Sequence, residues 1–100
     1  MSAALDSTGG IVRDTVRDLR AAGLKSGAAQ HEAARRLGLT ARRVRAYVYN
    51  EVEAVPADEY LRVRARLAGH LAQEARRLAA AAALLDARRA ALALPDDDQP

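Results

Sequence analysis

The sequence predicts an all-α protein: three short helices joined by tight corners, then one long helix. Three observations carry this reading. Apolar residues recur at spacings of three and four along most of the chain, and no stretch alternates as a half-buried strand would. Gly23, Gly38 and Pro56 punctuate that pattern at the places where helices would stop or restart. Phe and Trp are absent and Tyr occurs three times, so the aromatic residues that enrich strands are scarce.

Residues 1–9 read as a flexible lead. Ser7 or Thr8 is then positioned to cap a first helix over 10–22, with Ile11, Val12, Val16 and Leu19 on one face. Gly23 closes it in the left-handed conformation that glycine adopts without strain. Ser26 is the expected cap of a second helix over 27–37, whose apolar side is Ala29, Ala33, Ala34 and Leu37. Gly38 ends that helix, and Thr40 is placed to cap a third over 41–52, with Val44, Val48 and Val52 spaced by four. Val55 precedes Pro56 and is pushed out of the helical region, which sets a boundary there. Pro56 suits the first position of a new helix, and Asp58 and Glu59 sit where the helix dipole favours acids. From there to residue 93 only Gly69 interrupts the pattern, giving a helix of roughly 55 Å at 1.5 Å per residue. Pro95 and the run Asp96–Asp98 stop it. The expected organisation is a lead over 1–9, a three-helix domain over 10–55, a long helix over 56–94 and an acidic tail over 95–100.

A chain of 100 residues holds one small domain and one extra element. Chains of this size bury a modest share of their surface and often lean on a partner. There is no Cys, which excludes disulfides and thiolate metal sites. No apolar run reaches the 18 residues that span a bilayer. The first ten residues carry neither a basic region nor an apolar run, so no signal peptide is expected and a cytoplasmic location is.

The formal net charge is +3. That is too little to argue for nucleic acid, but its distribution is uneven. Residues 33–50 hold Arg35, Arg36, Arg42, Arg43 and Arg45 and no acid, whereas the last six residues hold three Asp. Ala occurs 25 times and Arg 15 times against a single Lys, the usage of a GC-rich genome. Position therefore weighs more than number when these arginines are read.

On the long helix, Leu71, Leu78, Leu85 and Leu92 are seven residues apart. The companion seam is Leu61, Ala68, Ala75, Ala82 and then Arg89, so one heptad register places Leu at d and mostly Ala at a. Leu67 and Leu84 lie off the seam. Small residues at a allow helices to approach closely, which favours a tight, often antiparallel, pair over a parallel zipper, and homo-oligomerisation through residues 65–93 is expected. The alternative is that the helix folds back on its own domain, bending at Gly69.

The corner at Gly38 carries a second pattern. Ala34 is small where the next helix would cross; Gly38 follows four residues later; Leu39 is apolar inside the corner; Thr40 is a cap; Val44 is a buried aliphatic. This spacing resembles the helix-turn-helix of bacterial and phage DNA-binding proteins, over about 20 to 25 residues. The second aliphatic slot of that pattern falls on Tyr47. The resemblance implies a three-helix DNA-binding domain whose third helix enters the major groove of double-stranded DNA. Arg42 would then reach guanine O6 and N7, Ala46 would allow close approach, and Arg45 would reach a base or a phosphate. Ala41 belongs to the same leading turn. Arg43, Tyr49 and Asn50 would meet phosphates, as would Gln30 and Thr40 at the helix starts. The expected function is a small transcriptional regulator of phage, mobile-element or bacterial type. The plan of a helix-turn-helix followed by long oligomerising helices is also similar to small terminase subunits of phages, which recognise viral DNA for packaging. A protein–protein module with no DNA is the remaining alternative.

No catalytic set is expected. His31–Glu32 begins like a zinc-protease helix, but the position four after His31 is Arg35, so no metal site follows. His70 stands apart from other ligand-type residues. No Gly-rich phosphate loop and no Ser/His/Asp set occurs, and no cofactor or small-molecule substrate is expected.

Overall fold

The computed structural model describes residues 3–93, and all regular structure among them is helical. Four helices follow one another: α1 Ala3–Ala21, α2 Ser26–Leu37, α3 Ala41–Val48 and α4 Ala57–Ala93. The chain divides into two compact units, Met1–Gly69 and His70–Pro100. The acidic tail expected over 95–100 lies outside the described residues.

In the first unit, α1 contributes Val12, Val16 and Leu19 to the core, and α2 contributes Ala29, Ala33, Ala34 and Leu37. Val44 and Tyr47 come from α3, Val52 from the segment after it, and Val63 from α4. The α2 side of the core is mostly Ala, which lets neighbouring helices come close.

The first helix starts well before the expected residue 10. Residues 3–9 form its opening turns instead of a flexible lead, and Ser7 and Thr8 lie inside the helix, not at its cap. Tertiary burial explains the difference. Thr8 and Gly9 are buried, and Leu5 packs on the core. Two adjacent glycines weaken a helix by about 1 kcal/mol each relative to Ala, so they read as a helix boundary in isolation. A Cβ on Gly9 would stand 2.9 Å from Nη1 at the tip of the Arg13 side chain, which would have to shift to admit it. At α2, Lys25 occupies the cap position without a side-chain bond, and Ser26 is the first helical residue.

The three short helices end alike. At α1, Gly23 has φ 111°, the Gly23 N–H donates to Arg20 O at 3.0 Å, and the Leu24 N–H donates to Leu19 O at 3.1 Å. At α2, Gly38 has φ 73°, its N–H donates to Ala34 O, and the Leu39 N–H donates to the same carbonyl at 2.9 Å. At α3 the same stop is made by Asn50, with φ 58° and N–H bonds from Asn50 to Tyr47 O at 3.2 Å and from Glu51 to Ala46 O at 2.8 Å. Asn is the side chain that best tolerates this left-handed conformation after Gly. The third helix therefore ends at Val48, not at residue 52, and Val52 reaches the core from the following segment.

Pro56 sits just ahead of α4, and its carbonyl accepts from the Tyr60 N–H at 3.0 Å. Asp58 and Glu59 occupy the first turn as expected. The helix continues through Gly69 without interruption. In the second unit the helical residues 71–93 are almost all exposed, and ion pairs Glu74–Arg77 and Asp86–Arg89 lie along the helix one turn apart. Among the described residues no helix is long and apolar enough to cross a membrane.

Candidate nucleic-acid interface

The corner between α2 and α3 is built by three local features. Gly38 turns the chain in a left-handed conformation. Leu39 packs against the core beneath the turn. Thr40, extended at φ −81° and ψ 156°, caps α3: its Oγ1 accepts the Arg43 N–H at 3.1 Å. Gly38 is held from outside as well. Arg62 of α4 donates from Nε to Gly38 O at 3.0 Å, and a Cβ on Gly38 would lie 3.2 Å from Arg62 Cδ.

Two side chains of α3 point fully inward: Val44 at 0 % exposure and Tyr47 at 1 %. The expected inward pair was Val44 and Val48, but Val48 is half-buried at the edge. Tyr47 thus fills the slot where an aliphatic residue is usual in the helix-turn-helix pattern. A buried phenol needs a partner for its hydroxyl. Here the partner is Glu59, whose Oε2 accepts from Tyr47 Oη at 2.5 Å.

Glu59 is itself buried and takes a second partner from the same helix. Arg43 donates from Nε to both carboxylate oxygens, at 3.0 and 3.1 Å, and from Nη2 to Oε2 at 2.9 Å. Its Nη2 also donates to Ala54 O at 3.1 Å, and its guanidinium lies 5.2 Å over the Tyr47 ring. The hydrogen bond to Glu59 raises the pKa of Arg43 further above its ordinary value. Burial raises that of Tyr47, and the Glu59 carboxylate adds to it. Three groups therefore lock the second turn of α3 to the first turn of α4. Arg43, expected to meet a phosphate, is engaged inward in this lock.

The C-terminal end of α3 is fixed from α1. Arg13 Nη1 donates to Tyr47 O and to Asn50 Oδ1, both at 3.1 Å. Asn50 and Tyr49 thus lie at the end of α3 and beyond it, not on its helical face. A cavity of about 240 Å³ lies beside them, lined by Leu5, Asp6, Arg13, Tyr47, Asn50 and Val52.

The remaining site residues divide by exposure. Arg42 and Arg45 are exposed, and the Arg45 guanidinium stacks 5.1 Å over the ring of Tyr49, which is also exposed. Ala41 and Ala46 are half-buried, and Thr40 is exposed with its hydroxyl in the cap. Gln30 lies in the second turn of α2 and is buried, so it does not stand at the helix start where a phosphate contact was expected. On α2, Arg35 makes a two-pronged hydrogen bond to Glu32, and Arg36 lies 3.8 Å from the same carboxylate. Glu32 stands one residue upstream of the acid-free window 33–50, so the positive charge of that window is smaller than the sequence suggests. With Arg43 taken by Glu59, Arg42 and Arg45 are the arginines of the window that make no ion pair among the described residues.

No family model, curated protein or solved structure matches the chain. The site therefore stands on its own geometry. Glu59, expected only as an acid in the first turn of the long helix, and Arg13 organise the site. Tyr47 at an aliphatic slot was the available signal for Glu59, because a phenol inside a core requires an acceptor. Nothing local signals Arg13, which reaches across 34 and 37 positions of sequence. Among the described residues no group of His, Cys, Asp and Glu could hold a metal ion. The leucines at 71, 78, 85 and 92 lie on α4 in the second unit, all exposed.

Proposed function

We propose that this chain binds double-stranded DNA, with α3 in the major groove and Arg42 and Arg45 as its groove-facing cations. The observation that carries this reading is the pairing pattern of the corner. Arg35, Arg36 and Arg43 are held by Glu32 and Glu59, while Arg42 and Arg45 make no ion pair among the described residues and lie on the outward face of a helix whose rotation is fixed by Val44 and Tyr47. Arg42 lies in the first turn of α3, the part that goes deepest in a helix-turn-helix complex, and its fork suits guanine O6 and N7. Arg45, stacked on Tyr49, is directed to a base edge or a phosphate beside it. Half-buried Ala41 and Ala46 leave room for close approach. The half-exposed Arg43 is directed inward, with Nε and Nη2 donating to Glu59 and Nη2 to Ala54 O and its charge offset by the Glu59 carboxylate, so it is not assigned to base reading.

The exposed leucines of α4 support a second part of the reading: the chain self-associates through residues 65–93, giving a small cytoplasmic transcriptional regulator with two or more reading heads. A phage packaging role of the small-terminase kind shares this plan and is separated by subunit number, a dimer favouring the regulator and a ring of eight or more the packaging protein. Selection of bound sites from random duplex DNA, with stoichiometry measured on the same sample, tests the whole reading. Enrichment of a defined motif that Arg42→Ala blurs supports it. Absence of DNA binding even at low salt, with the protein folded, would overturn it in favour of a protein–protein module.

A further inference from the structure

We infer that the partner of the exposed α4 seam is a second copy of this chain running antiparallel, with the two helices crossing at the level of Ala79–Ala81. The inference rests on the self-association proposed above and adds its direction and register. Leu71, Leu78, Leu85 and Leu92 are 56, 63, 62 and 81 % exposed, so a continuous row of large apolar side chains faces water in the isolated chain. Such a row is unusual on a monomer and marks a contact surface. Between these leucines, at the other seam position, lie Ala68, Ala75, Ala82 and Arg89.

A parallel, in-register pair would stack like on like. Layers of Leu facing Leu would alternate with layers of Ala facing Ala, so no single helix separation would fill both, and voids would remain at the alanines. The last such layer would set Arg89 against the partner's Arg89, two like charges inside the seam. Reversing one helix removes both faults. Ala75 then meets the partner's Leu85, Leu78 meets the partner's Ala82, and Ala68 meets the partner's Leu92. Each of these layers holds one large and one small side chain, so one close separation fits them all. Arg89 falls opposite Leu71 near the ends of the seam, where its methylene stem covers the leucine and its guanidinium stays in water beside Asp86, which it already contacts at 2.9 Å.

The flanking charges agree with the same register. In the antiparallel pair, Glu74 lies across from the partner's Arg88, and Arg88 from the partner's Glu74, which gives two symmetry-related ion pairs beside those that Glu74 makes with Arg77 on its own helix. In the parallel pair the position across from Glu74 is the partner's Ala79, and the position across from Arg88 is the partner's Ala93, so neither gains an opposite charge from the partner helix.

The chain has no Cys, so single cysteines report the geometry directly. In the antiparallel register Ala81 approaches the partner's Ala81, while Ala75 and the partner's Ala75 are separated by about 15 Å along the axis. In a parallel pair Ala75 faces its own copy and Ala81 does not. Ala81→Cys and Ala75→Cys, both mild changes at exposed positions, are oxidised in a glutathione buffer at micromolar protein, with sedimentation run on the reduced samples. The expected result is a reduced dimer in which Ala81→Cys forms the intermolecular disulfide at least tenfold faster than Ala75→Cys. Faster coupling of Ala75→Cys would overturn the antiparallel assignment and leave self-association standing. Equal coupling, or none in a dimer, would overturn the register. A monomer would overturn both the pairing and the self-association. No DNA enters the measurement, so a chain that pairs in this way but binds no DNA refutes the DNA reading alone.

Discussion

Tyr47 and Glu59 meet at 2.5 Å, phenol to carboxylate, inside the first unit, and through this contact the third helix is fixed to the start of the fourth. The same carboxylate holds Arg43. A buried charge with two good partners is stable in place, and removing it leaves both partners unsatisfied. Glu59→Ala is expected to destabilise the first unit by about 2 kcal/mol. That is below the about 3–5 kcal/mol of a fully buried pair, because Arg43 keeps 31 % of its side chain in water. Glu59→Gln, which retains an acceptor for Tyr47, should lose less. Urea unfolding followed by circular dichroism measures both, and equal midpoints for Glu59→Ala and the parent chain would contradict the lock.

Tyr47→Phe removes one hydroxyl and leaves the Arg43–Glu59 pair in place, so a loss of about 1 kcal/mol is expected. The pH dependence follows from the direction of the shift. The folded pKa of Tyr47 lies above its ordinary value of 10.0, because burial and the neighbouring carboxylate both oppose the phenolate. The stabilisation is thus complete below pH 10 and is lost as pH rises towards the folded pKa. Tyrosinate absorbance should show a late step that disappears in Tyr47→Phe. A titration curve that this substitution leaves unchanged in its upper part would refute the assignment.

Gly38→Ala combines a left-handed backbone with a Cβ placed 3.2 Å from Arg62 Cδ. A loss of about 1–2 kcal/mol is expected, with the corner of α2 and α3 disturbed. Thr40→Ala removes only the cap on the Arg43 N–H and should lose about 1 kcal/mol. Thermal melts of the two variants give the comparison, and a Gly38→Ala protein as stable as the parent would mean that the corner adopts another backbone.

Arg42→Ala is expected to lose about 1–3 kcal/mol on a selected DNA site and to relax base choice at one position. Its folding stability should not change, since the side chain makes no ion pair among the described residues. Arg43→Ala should do the reverse, lowering stability while leaving base choice intact. Binding isotherms on selected and random duplexes, together with unfolding curves, separate the two. Equal losses on both duplexes for Arg42→Ala would remove it as a base reader.

Much of this architecture was legible from short-range chemistry. Gly23 and Gly38 stop helices because they accept a left-handed backbone, and Pro56 forces a boundary because it constrains the residue before it. Asn50 carries the same signal as the glycines, because it also accepts a left-handed backbone, and it ends α3 short of residue 52. The heptad of leucines and the frame Ala34, Gly38, Thr40 and Val44 are likewise spacing rules, visible along the chain. The pairing of Glu32 with Arg35 and Arg36 is within one helical turn and equally legible, although the acid lies one residue outside the acid-free stretch 33–50.

Other features depend on residues that only folding brings together. The start of α1 at Ala3 runs against the local preference of two glycines, and packing of Leu5 on the core offsets that preference. Tyr47 turns inward because Glu59, twelve positions away, supplies its acceptor, and Arg43 follows the same carboxylate. Local periodicity by itself determined that this chain is four helices with a corner and a leucine row. That Arg43 is engaged inward while Arg42 and Arg45 make no ion pair among the described residues was decided by the tertiary structure, because a charge is neutralised by what lies near it in space, and Glu59 and Arg43 are near only once the first turn of α4 meets α3.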